Sequence, residues 1–480
     1  MYEKFGQFID GKWLQAEKKE TYDVINPATE EVIGKASKAS SADVQKALKS
    51  AEKGLEIWKN TAPWQRAYTI RKIAELIRER KDVIAKWLTL EVGKPLAEGA
   101  GEVAGAADIF EWNAEETKRI YGQIVESRFE DTRVHVYYQP IGVVAALSPW
   151  NFPLVLAARK ISTALAAGCS VIIKPDTITP GVVMELVDIC RECGIPAGVV
   201  NLLSGDPPAI ASQLISSDII KKISVTGSTR VGKIILKQAA DKLQRVTMEL
   251  SGHSPFIVFE DADLNKATDI AIAAKFRNNG QVCISPNRFY IQESKKDEFV
   301  GLFIEKTKKL KIGNGMDPDT QLGPLTTQKR LNEVEELVEK TKQEGAKVLL
   351  GGKRPAGFNK GFYYEPTVFD DVKDDFTIMK QEPFGPLAPM LSFKSFDEVI
   401  ERANDNDLGL CSYICTNSMD KAHRASELME AGIACVNTGV VAVAEAPFGG
   451  IKQTGYGREG GSNAIKDYLN VKYTHMGIKG

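Results

Sequence analysis

The sequence has few histidines and no excess of charge of either sign. Only four histidines occur among 480 residues, at positions 135, 253, 423 and 475, so the sequence offers few candidates for catalysis by histidine. Lysine and arginine together number 62, against 63 aspartate and glutamate residues, which leaves a formal net charge of −1. Such a balance provides no field to hold nucleic acid or an anionic membrane surface. We therefore expect neither nucleic acid nor a membrane among the partners of the chain.

Long apolar runs and an even set of cysteines are also missing. No stretch approaches the ~20 uninterrupted apolar residues of a membrane span. The first residues, MYEKFGQFIDGKW, lack the basic start and apolar core of a signal peptide. The seven cysteines are scattered through a large chain, which is typical of a reduced protein rather than a disulfide-built one. These features predict a cytoplasmic location.

Two positions that resemble functional sites are expected to be structural. The motif Cys190-x-x-Cys193 lacks the second ligand pair that a metal site needs. Gly194 and Pro196 after it signal the end of a helix, and we expect no metal there. His253 lies in a predicted turn, and we expect it to be structural as well.

Short apolar runs alternate with helical stretches between Gly142 and Gly252. Runs of this kind, each followed by a helix, are typical of parallel strands that are covered on both faces. The pattern predicts a doubly wound α/β domain. A second series, over residues 255–437, predicts another α/β domain, as expected for a chain too long for one ordinary core. Helical spacing is clearest upstream of both series, over residues 64–92.

One segment outside both series, residues 133–139, alternates apolar and polar side chains. It can form one arm of a projecting hairpin, with the tail segment 467–473 as a further strand. A hairpin without a core of its own usually pairs with a neighbouring subunit, so this feature predicts a homo-oligomer, either a dimer or a tetramer. The alternative is a local lid on its own domain.

Three polar side chains stand where predicted strands give way to loops: Asn151 in SPWNFP, Glu249 in MELSGHSP and Cys283 in FRNNGQVCISPNR. A thiolate attacks carbonyl carbon, an amide can donate to a developing oxyanion, and a carboxylate can act as a general base on water. Each residue also has a structural alternative, since a lone cysteine is usually a small buried hydrophobe. Taken by themselves, the three residues leave these alternatives open.

Seven motifs, in one order along nearly the whole chain, resemble the aldehyde dehydrogenase superfamily: PWNFP, a strand ending in KP, TGS, ELSG, GQVC, EPFGP and PFGGIKQTGYGREGG. The resemblance implies an α/β fold of two doubly wound parallel-sheet domains with a small oligomerisation hairpin. We expect the dinucleotide-binding domain in residues 1–122, 143–251 and 447–465, the catalytic domain in 252–446, and the oligomerisation element in 123–142 and 466–480.

The resemblance also implies the chemistry. In this family the cysteine at Cys283 attacks an aldehyde, and the alkoxide is held by the Asn151 amide and the backbone N–H of the cysteine. Hydride then passes to the nicotinamide of NADP or NAD and leaves a thioester. The glutamate at Glu249 activates the water that hydrolyses the thioester to a carboxylate.

A coenzyme site is predicted at the start of the helix after VTGS. Gly227 and Ser228 open that helix, where free N–H groups and the helix dipole favour a pyrophosphate, although no G-x-G-x-x-G motif is present. The resemblance adds further coenzyme contacts, with Glu382 expected on the nicotinamide ribose. These contacts are Trp150, Lys174, Pro175, Leu250, Glu382 and Phe384.

One departure concerns the choice of coenzyme. In KPDTITP, Thr177 stands where relatives that prefer NAD commonly have a glutamate. Two like charges ~4 Å apart cost on the order of 1–4 kcal/mol, so a carboxylate there would repel a 2′-phosphate. Thr177 removes that repulsion and Lys174 can supply positive charge, which favours NADP over NAD.

Arginines provide the clue to the substrate. Arg159 and Arg277 match positions at which succinate-semialdehyde dehydrogenases hold the distal carboxylate of the substrate, a task suited to guanidinium groups. The alternative is that either arginine makes an internal ion pair. Two departures from those enzymes keep small hydroxyaldehydes such as glyceraldehyde, glycolaldehyde or lactaldehyde open as substrates. Ser285 replaces the second cysteine of a Cys-x-Cys motif, and NTGVVAVAEA lacks a common serine pair.

Other classes of function are less well supported by the motifs. A Cys/Glu thiol hydrolase would use Cys283 and Glu249 but leave Lys174, Ser228 and Glu382 without a role. A relative that has lost activity would not need all three candidate catalytic residues. A CoA-acylating relative usually lacks a carboxylate at the position of Glu249.

Overall fold

The computed structural model describes residues 2–478 of the chain. Strands from the first half form one sheet, in which parallel strands stand together and an antiparallel pair extends one edge. In order across the sheet these are β11 (Arg245–Glu249), β10 (Ile220–Thr226), β7 (Val143–Leu147), β8 (Ser170–Lys174), β9 (Val200–Leu202), β1 (Gln7–Ile9) and β2 (Lys12–Leu14). The predicted doubly wound sheet is confirmed, and the antiparallel edge is an addition that the sequence pattern did not indicate.

Helices cover both faces of this sheet, which explains why its central strands are apolar throughout. Every residue of β7 and of β8 is buried. The covering and connecting helices are α1 (Ser41–Lys59), α2 (Pro63–Glu79), α3 (Lys81–Val92), α4 (Leu96–Thr117), α5 (Pro153–Ala167), α6 (Pro180–Glu192), α7 (Pro207–Ile215), α8 (Thr229–Ala240) and α15 (Gly461–Ala464).

The helical pattern predicted over residues 64–92 is present but divided. Helix α2 ends at Glu79 and α3 begins at Lys81, because Arg80 leaves the helical conformation with φ −93° and ψ 17°. The Arg80 guanidinium forms ion pairs with Glu185 and Glu192, which fixes the turn against α6. Among the described residues, no helix combines the length and apolar content that a membrane crossing requires.

A second sheet follows the same design. In order across it are β14 (Lys347–Leu350), β15 (Thr367–Asp370), β16 (Leu387–Phe393), β13 (Pro286–Gln292), β12 (Ser254–Val258), β18 (Cys411–Cys415) and β19 (Ile433–Val436). All neighbours are parallel except β14 and β15. Its helices are α9 (Leu264–Phe276), α10 (Lys296–Thr307), α11 (Gln328–Gln343), α12 (Thr377–Lys380), α13 (Phe396–Asn404) and α14 (Met419–Leu428).

The projecting hairpin is present as a separate sheet of β5 (Gln123–Val125), β6 (Thr132–Pro140) and β21 (Leu469–Gly477). The tail strand begins later than predicted because residues 465–468 form a turn of 3₁₀ helix. Residues 479–480 of the predicted element lie outside the described residues. Small antiparallel pairs complete the strands: β3 (Thr21–Ile25) with β4 (Val32–Ser37), and β17 (Leu408–Gly409) with β20 (Ile451–Lys452).

Candidate active site

The three candidate catalytic side chains come together between the two large sheets. Asn151 follows β7, Glu249 is the last residue of β11, and Cys283 lies in the loop before β13. Asn151 and Cys283 line one cleft of about 400 Å³. Glu249 lies close enough to Cys283 for each group to shift the pKa of the other. The carboxyl ends of parallel strands are the usual place for a site in a doubly wound domain.

The loop that carries Cys283 has a backbone that two asparagines make possible. Helix α9 ends at Phe276, and Asn278 and Asn279 follow with φ of 46° and 54°. Asparagine adopts this left-handed region more readily than most residues do. Cys283 is half-buried, and burial raises the pKa of its thiol, as does the charge of Glu249. The thiol therefore stays protonated at neutral pH until a base removes its proton.

The side-chain amide of Asn151 is tied to this loop. Its Nδ2 donates to the carbonyl oxygen of Gln281 at 3.0 Å. In return, Nδ2 of Asn278 donates to the carbonyl oxygen of Asn151 at 3.1 Å. Since an amide nitrogen carries two N–H groups, the second one of Asn151 remains available to a ligand in the cleft.

Glu249 is almost fully buried, at 2% exposure. Burial first and the charge of Glu459 second raise the pKa of Glu249 to about 7. Apart from the Cys283 thiol, neither carboxylate oxygen has a hydrogen-bond partner among the described residues. A carboxylate that titrates near neutral pH can exchange protons with the thiol or with water.

A buried network of polar side chains surrounds Glu459, the charged residue that raises the pKa of Glu249 most. Lys160 forms an ion pair with Glu459 and donates to Thr226 at 2.8 Å. Ser224 donates to Glu459 at 3.1 Å. The sequence did not single out these residues, because their connection spans about 300 positions of the chain.

Most of the predicted coenzyme contacts lie along the same cleft. Six of them line it together with Asn151 and Cys283: Trp150, Gly227, Ser228, Leu250, Glu382 and Phe384. Ser228 is the N-cap of α8, and a Cβ added to Gly227 would meet nothing within 4 Å, so the start of that helix is open to the cleft. The exposed N-terminus of this 12-residue helix can bind a pyrophosphate through its free backbone N–H groups.

The carboxylate of Glu382 is held at the edge of the cleft. It accepts the backbone N–H of Gly252 at 3.2 Å, and burial raises its pKa to about 7. The positive charge of Arg330, which also lines the cleft, lowers that pKa. A carboxylate at this place can accept hydrogen bonds from ribose hydroxyls, so the residues present fit a dinucleotide.

Three predicted coenzyme residues, Lys174, Pro175 and Thr177, are not part of the cleft lining. Lys174 is buried at the end of β8, and burial lowers the pKa of its ammonium group to about 8. Their neighbours Asp176 and Ile178 do line the cleft. Asp176 stands directly before Thr177 in KPDTITP, but no motif predicts a role for it.

Both predicted substrate arginines line a second, narrower cavity of about 50 Å³ that also reaches Cys283. The guanidinium carbon of Arg159 lies 4.9 Å from the centre of the Phe448 ring, and that of Arg277 lies 4.7 Å from the Phe152 ring. Within residues 2–478, no carboxylate oxygen lies within 4 Å of either guanidinium. Nη1 of Arg159 donates to the carbonyl oxygen of Glu459 at 3.1 Å, but neither guanidinium has a carboxylate partner among the described residues, so both can bind an acidic group of a substrate.

Cys190, Cys193 and His253, which we expected to be structural, do not line the cleft. Helix α6 ends at Glu192, just before Cys193, and Gly194 follows with φ of 86°. His253 is buried, and its Nε2 lies 2.9 Å from the carbonyl oxygen of Met379. In the part of the chain that the structure describes, no group of three or more histidine, cysteine, aspartate or glutamate residues is arranged to hold a metal ion.

Comparison with known proteins gives full-length matches. The model of the aldehyde dehydrogenase family matches residues 13–474. A glutarate-semialdehyde dehydrogenase of Pseudomonas putida is 43% identical, over 98% of this chain and 97% of that protein. An NADP(+)-dependent succinate-semialdehyde dehydrogenase of Escherichia coli is 41% identical, over 98% and 97%. The solved structure of a succinate-semialdehyde dehydrogenase from Burkholderia pseudomallei superposes with a TM-score of 0.97 at 40% identity, over 98% of each chain.

Proposed function

The chain belongs to the aldehyde dehydrogenase family and is an NAD(P)-dependent enzyme, and we propose from its geometry which residues carry the reaction. Cys283 is the nucleophile, Asn151 holds the oxyanion and Glu249 is the base. The observation that carries this assignment is the meeting of a thiol and a free amide N–H at one cleft, with a carboxylate of pKa about 7 beside the thiol.

The first step forms a bond between sulfur and carbon. Glu249 takes the proton of the Cys283 thiol, and the thiolate attacks the aldehyde carbon. The negative charge that develops on oxygen is stabilised by the free N–H of Asn151 and the backbone N–H of Cys283. Hydrogen-bond donors fixed in advance are worth more here than in water, because the site is largely shielded from solvent.

The second step releases the acid. A bound nicotinamide coenzyme would supply the acceptor for the hydride of the former aldehyde carbon, which leaves Cys283 as a thioester. Glu249 first releases the thiol proton to solvent; it then removes a proton from water, and the resulting hydroxide adds to the thioester carbon. The carbon–sulfur bond breaks, the carboxylate product leaves, and Cys283 regains its proton.

The coenzyme is proposed to be NADP, with NAD as an alternative. Trp150, Gly227, Ser228, Leu250, Glu382 and Phe384 would hold it, with Lys174, Pro175 and Thr177 near the adenosine ribose. The absence of a carboxylate at Thr177 supports NADP. Asp176 acts in the opposite direction, because its negative charge lies at the cleft and would oppose a 2′-phosphate.

The substrate is proposed to be a semialdehyde with an acidic group at its far end, such as succinic semialdehyde. The unpaired guanidinium groups of Arg159 and Arg277 at the Cys283 cavity support this choice. The relatives named glutarate- and succinate-semialdehyde dehydrogenases agree with it. A small hydroxyaldehyde is the second candidate, because the cavity is only about 50 Å³ and its wall at Ala442 offers no hydroxyl to a carboxylate.

A panel of aldehydes, each offered with NADP and with NAD, tests the function directly. We expect reduced coenzyme to appear with succinic semialdehyde and to be absent without an aldehyde. Cleavage of an activated ester in the absence of coenzyme, with no aldehyde oxidation by any member of the panel, would instead support a thiol hydrolase.

Assembly and location are proposed on separate grounds. Large apolar side chains stand exposed on the sheet of β5, β6 and β21, among them Ile124, Val471 and Tyr473, and support a homo-oligomer formed through this sheet. We expect Val471→Glu to lower the molar mass measured by light scattering. The seven free cysteines support a reducing compartment such as the cytoplasm.

The division into domains is likewise a proposal. The dinucleotide-binding domain would comprise 1–122, 143–251 and 447–465, the catalytic domain 252–446, and the oligomerisation element 123–142 and 466–480. The arrangement of the strands supports it, since the first large sheet takes its strands from residues before 250 and the second from residues 254–436.

A further inference from the structure

A buried ion pair beside the site has no role in the steps described above. Lys94 precedes helix α4, and Glu102 lies two turns into that helix. Nζ of Lys94 and Oε2 of Glu102 are 2.6 Å apart, and both side chains are fully buried. An ion pair removed from water is often no more stabilising than apolar residues of similar volume, so stability alone is a weak explanation for it.

The lysine of this pair contacts the backbone of the oxyanion residue. Nζ of Lys94 donates to the carbonyl oxygen of Asn151 at 2.9 Å. The same nitrogen lies 3.8 Å from the centre of the Phe152 ring, so the cation is held over the next residue of the chain. Lys94 thus fixes the peptide that follows Asn151.

The glutamate holds the other end of the same segment. Its Oε1 accepts the backbone N–H groups of Leu154 at 3.0 Å and of Val155 at 3.2 Å. These groups belong to the first turn of α5, where Phe152 provides no capping side chain. Glu102 therefore replaces the missing N-cap and orients the turn that begins just after Asn151.

The same part of α4 also reaches the nucleophile loop. The backbone N–H of Asn278 donates to Oε2 of Glu98 at 2.8 Å. Asn278 donates in turn to the carbonyl oxygen of Asn151, which therefore accepts hydrogen bonds from both Lys94 and Asn278. The start of α4 thus holds the amide and the loop of Cys283 in one connected unit.

We propose that Lys94 and Glu102 are positioning residues that hold the Asn151 amide where it stabilises the oxyanion formed at Cys283. The inference rests on the proposed role of Asn151. A misplacement of about 1 Å at a reacting centre can cost on the order of 100-fold in rate. Loss of either charge is therefore expected to slow the formation of the thioester without weakening the binding of coenzyme.

A double-mutant cycle on the first turnover tests this role. The burst of reduced coenzyme is measured by stopped flow in wild type, Lys94→Met, Asn151→Ala and the combined variant. We expect Lys94→Met to slow the burst about 10- to 100-fold. In the Asn151→Ala background the same change should cost less than about threefold, because the amide that it positions is gone. Coenzyme affinity, measured by fluorescence, should stay within about threefold of wild type.

A matched control exists in the chain. Glu91 is also buried, and it accepts the backbone N–H groups of Gly181 at 2.7 Å and Val182 at 3.1 Å, at the first turn of α6. Glu91 thus accepts N–H groups from the first turn of α6 in the same way as Glu102 does from the first turn of α5. We expect Glu102→Gln to slow the burst and Glu91→Gln to leave it within about twofold of wild type, at saturating coenzyme and at a similar loss of Tm.

The outcomes separate this inference from the proposed function. If Lys94→Met leaves a wild-type burst, or if its effect is undiminished in the Asn151→Ala background, the positioning role is wrong. A wild-type enzyme without any aldehyde-dependent burst would instead overturn the proposed function. Should Lys94→Met fail to fold, the combined change Lys94→Met with Glu102→Leu removes both charges at once and must still slow the burst.

Discussion

The Cys283 thiol and the Glu249 carboxylate lie together in the buried part of the site, where burial raises the pKa of both groups. The charge of Glu249 raises the pKa of the thiol further, and the charge of Glu459 raises that of Glu249, to about 7. Glu249 is therefore half protonated near neutral pH. It can accept a proton above that pH and loses this capacity below it.

The hydrolysis of the thioester should follow the titration of Glu249. Because the base must be deprotonated, kcat is expected to rise about tenfold between pH 6 and pH 8 when hydrolysis limits turnover. Glu459→Gln should move this rise to lower pH, since it removes the charge that raises the pKa of Glu249 and leaves Lys160, which lowers it, unpaired. Steady-state kcat across this range is the measurement, and a profile that Glu459→Gln leaves in place would contradict the assignment.

Variants of Cys283 and of Glu249 should block different steps of the proposed reaction. Cys283→Ala should abolish aldehyde oxidation and leave coenzyme binding near normal, because the cleft keeps its other lining residues. Glu249→Gln should give at most one burst of reduced coenzyme, slowed because Glu249 no longer takes the thiol proton, and should then stall at the thioester. Stopped-flow absorbance distinguishes the burst from later turnovers. Turnover of Glu249→Gln at the wild-type rate would show that another group acts as the base.

The choice of coenzyme should depend on two neighbouring positions. Wild type is expected to have a higher kcat/KM with NADP than with NAD, and Thr177→Glu should shift the preference towards NAD by adding a charge that repels the 2′-phosphate. Asp176→Asn should shift it further towards NADP, because it removes a negative charge from the cleft. The measurement is the ratio of kcat/KM for the two coenzymes in each variant. Strong selectivity of the wild type for NAD would contradict the interpretation of Thr177.

Much of the fold could be predicted from the sequence, because its signals are local. Buried parallel strands form continuous apolar runs, so β7, β8 and β10 were evident in the segments GVVAALSP, CSVIIKP and KKISVTGS. The edge strands β1 and β2 were not, because each has only three residues and no run of its own. The 3₁₀ segment before β21 is also too short to have a pattern of its own, so the tail strand was predicted to begin at 467 although it begins at Leu469.

The residues of the site also differ in whether a local sequence pattern indicates them. The motifs located Asn151, Glu249 and Cys283, whose surroundings in the chain are distinctive. The contact of Lys94 with Asn151 joins residues 57 positions apart, and no local pattern indicates it. Asp176 is different, since it stands beside Thr177 in the sequence, and only the geometry of the cleft shows which of the two lines it.

The preference for an acidic substrate should depend on Arg159 and Arg277. A charge-assisted contact with a carboxylate is worth roughly 1.5–3 kcal/mol, so kcat/KM for succinic semialdehyde should exceed that for butyraldehyde about ten- to hundredfold. Changing either arginine to leucine should narrow this gap mainly through KM, because the carboxylate is bound equally in the ground state and the transition state. Equal rates on the two four-carbon aldehydes would favour a small hydroxyaldehyde instead.

The two leucine variants should also differ from each other in a way that only the structure indicates. The positive charge of Arg159 lowers the pKa of Glu249, whereas Arg277 stands at an exposed position on the wall of the cavity. Arg159→Leu should therefore raise the pKa of Glu249 and move the rise of kcat to higher pH, in addition to its effect on KM. Arg277→Leu should change KM for the semialdehyde and leave that profile in place. If Arg159→Leu leaves the profile in place, as Arg277→Leu should, the charge of Arg159 does not affect Glu249.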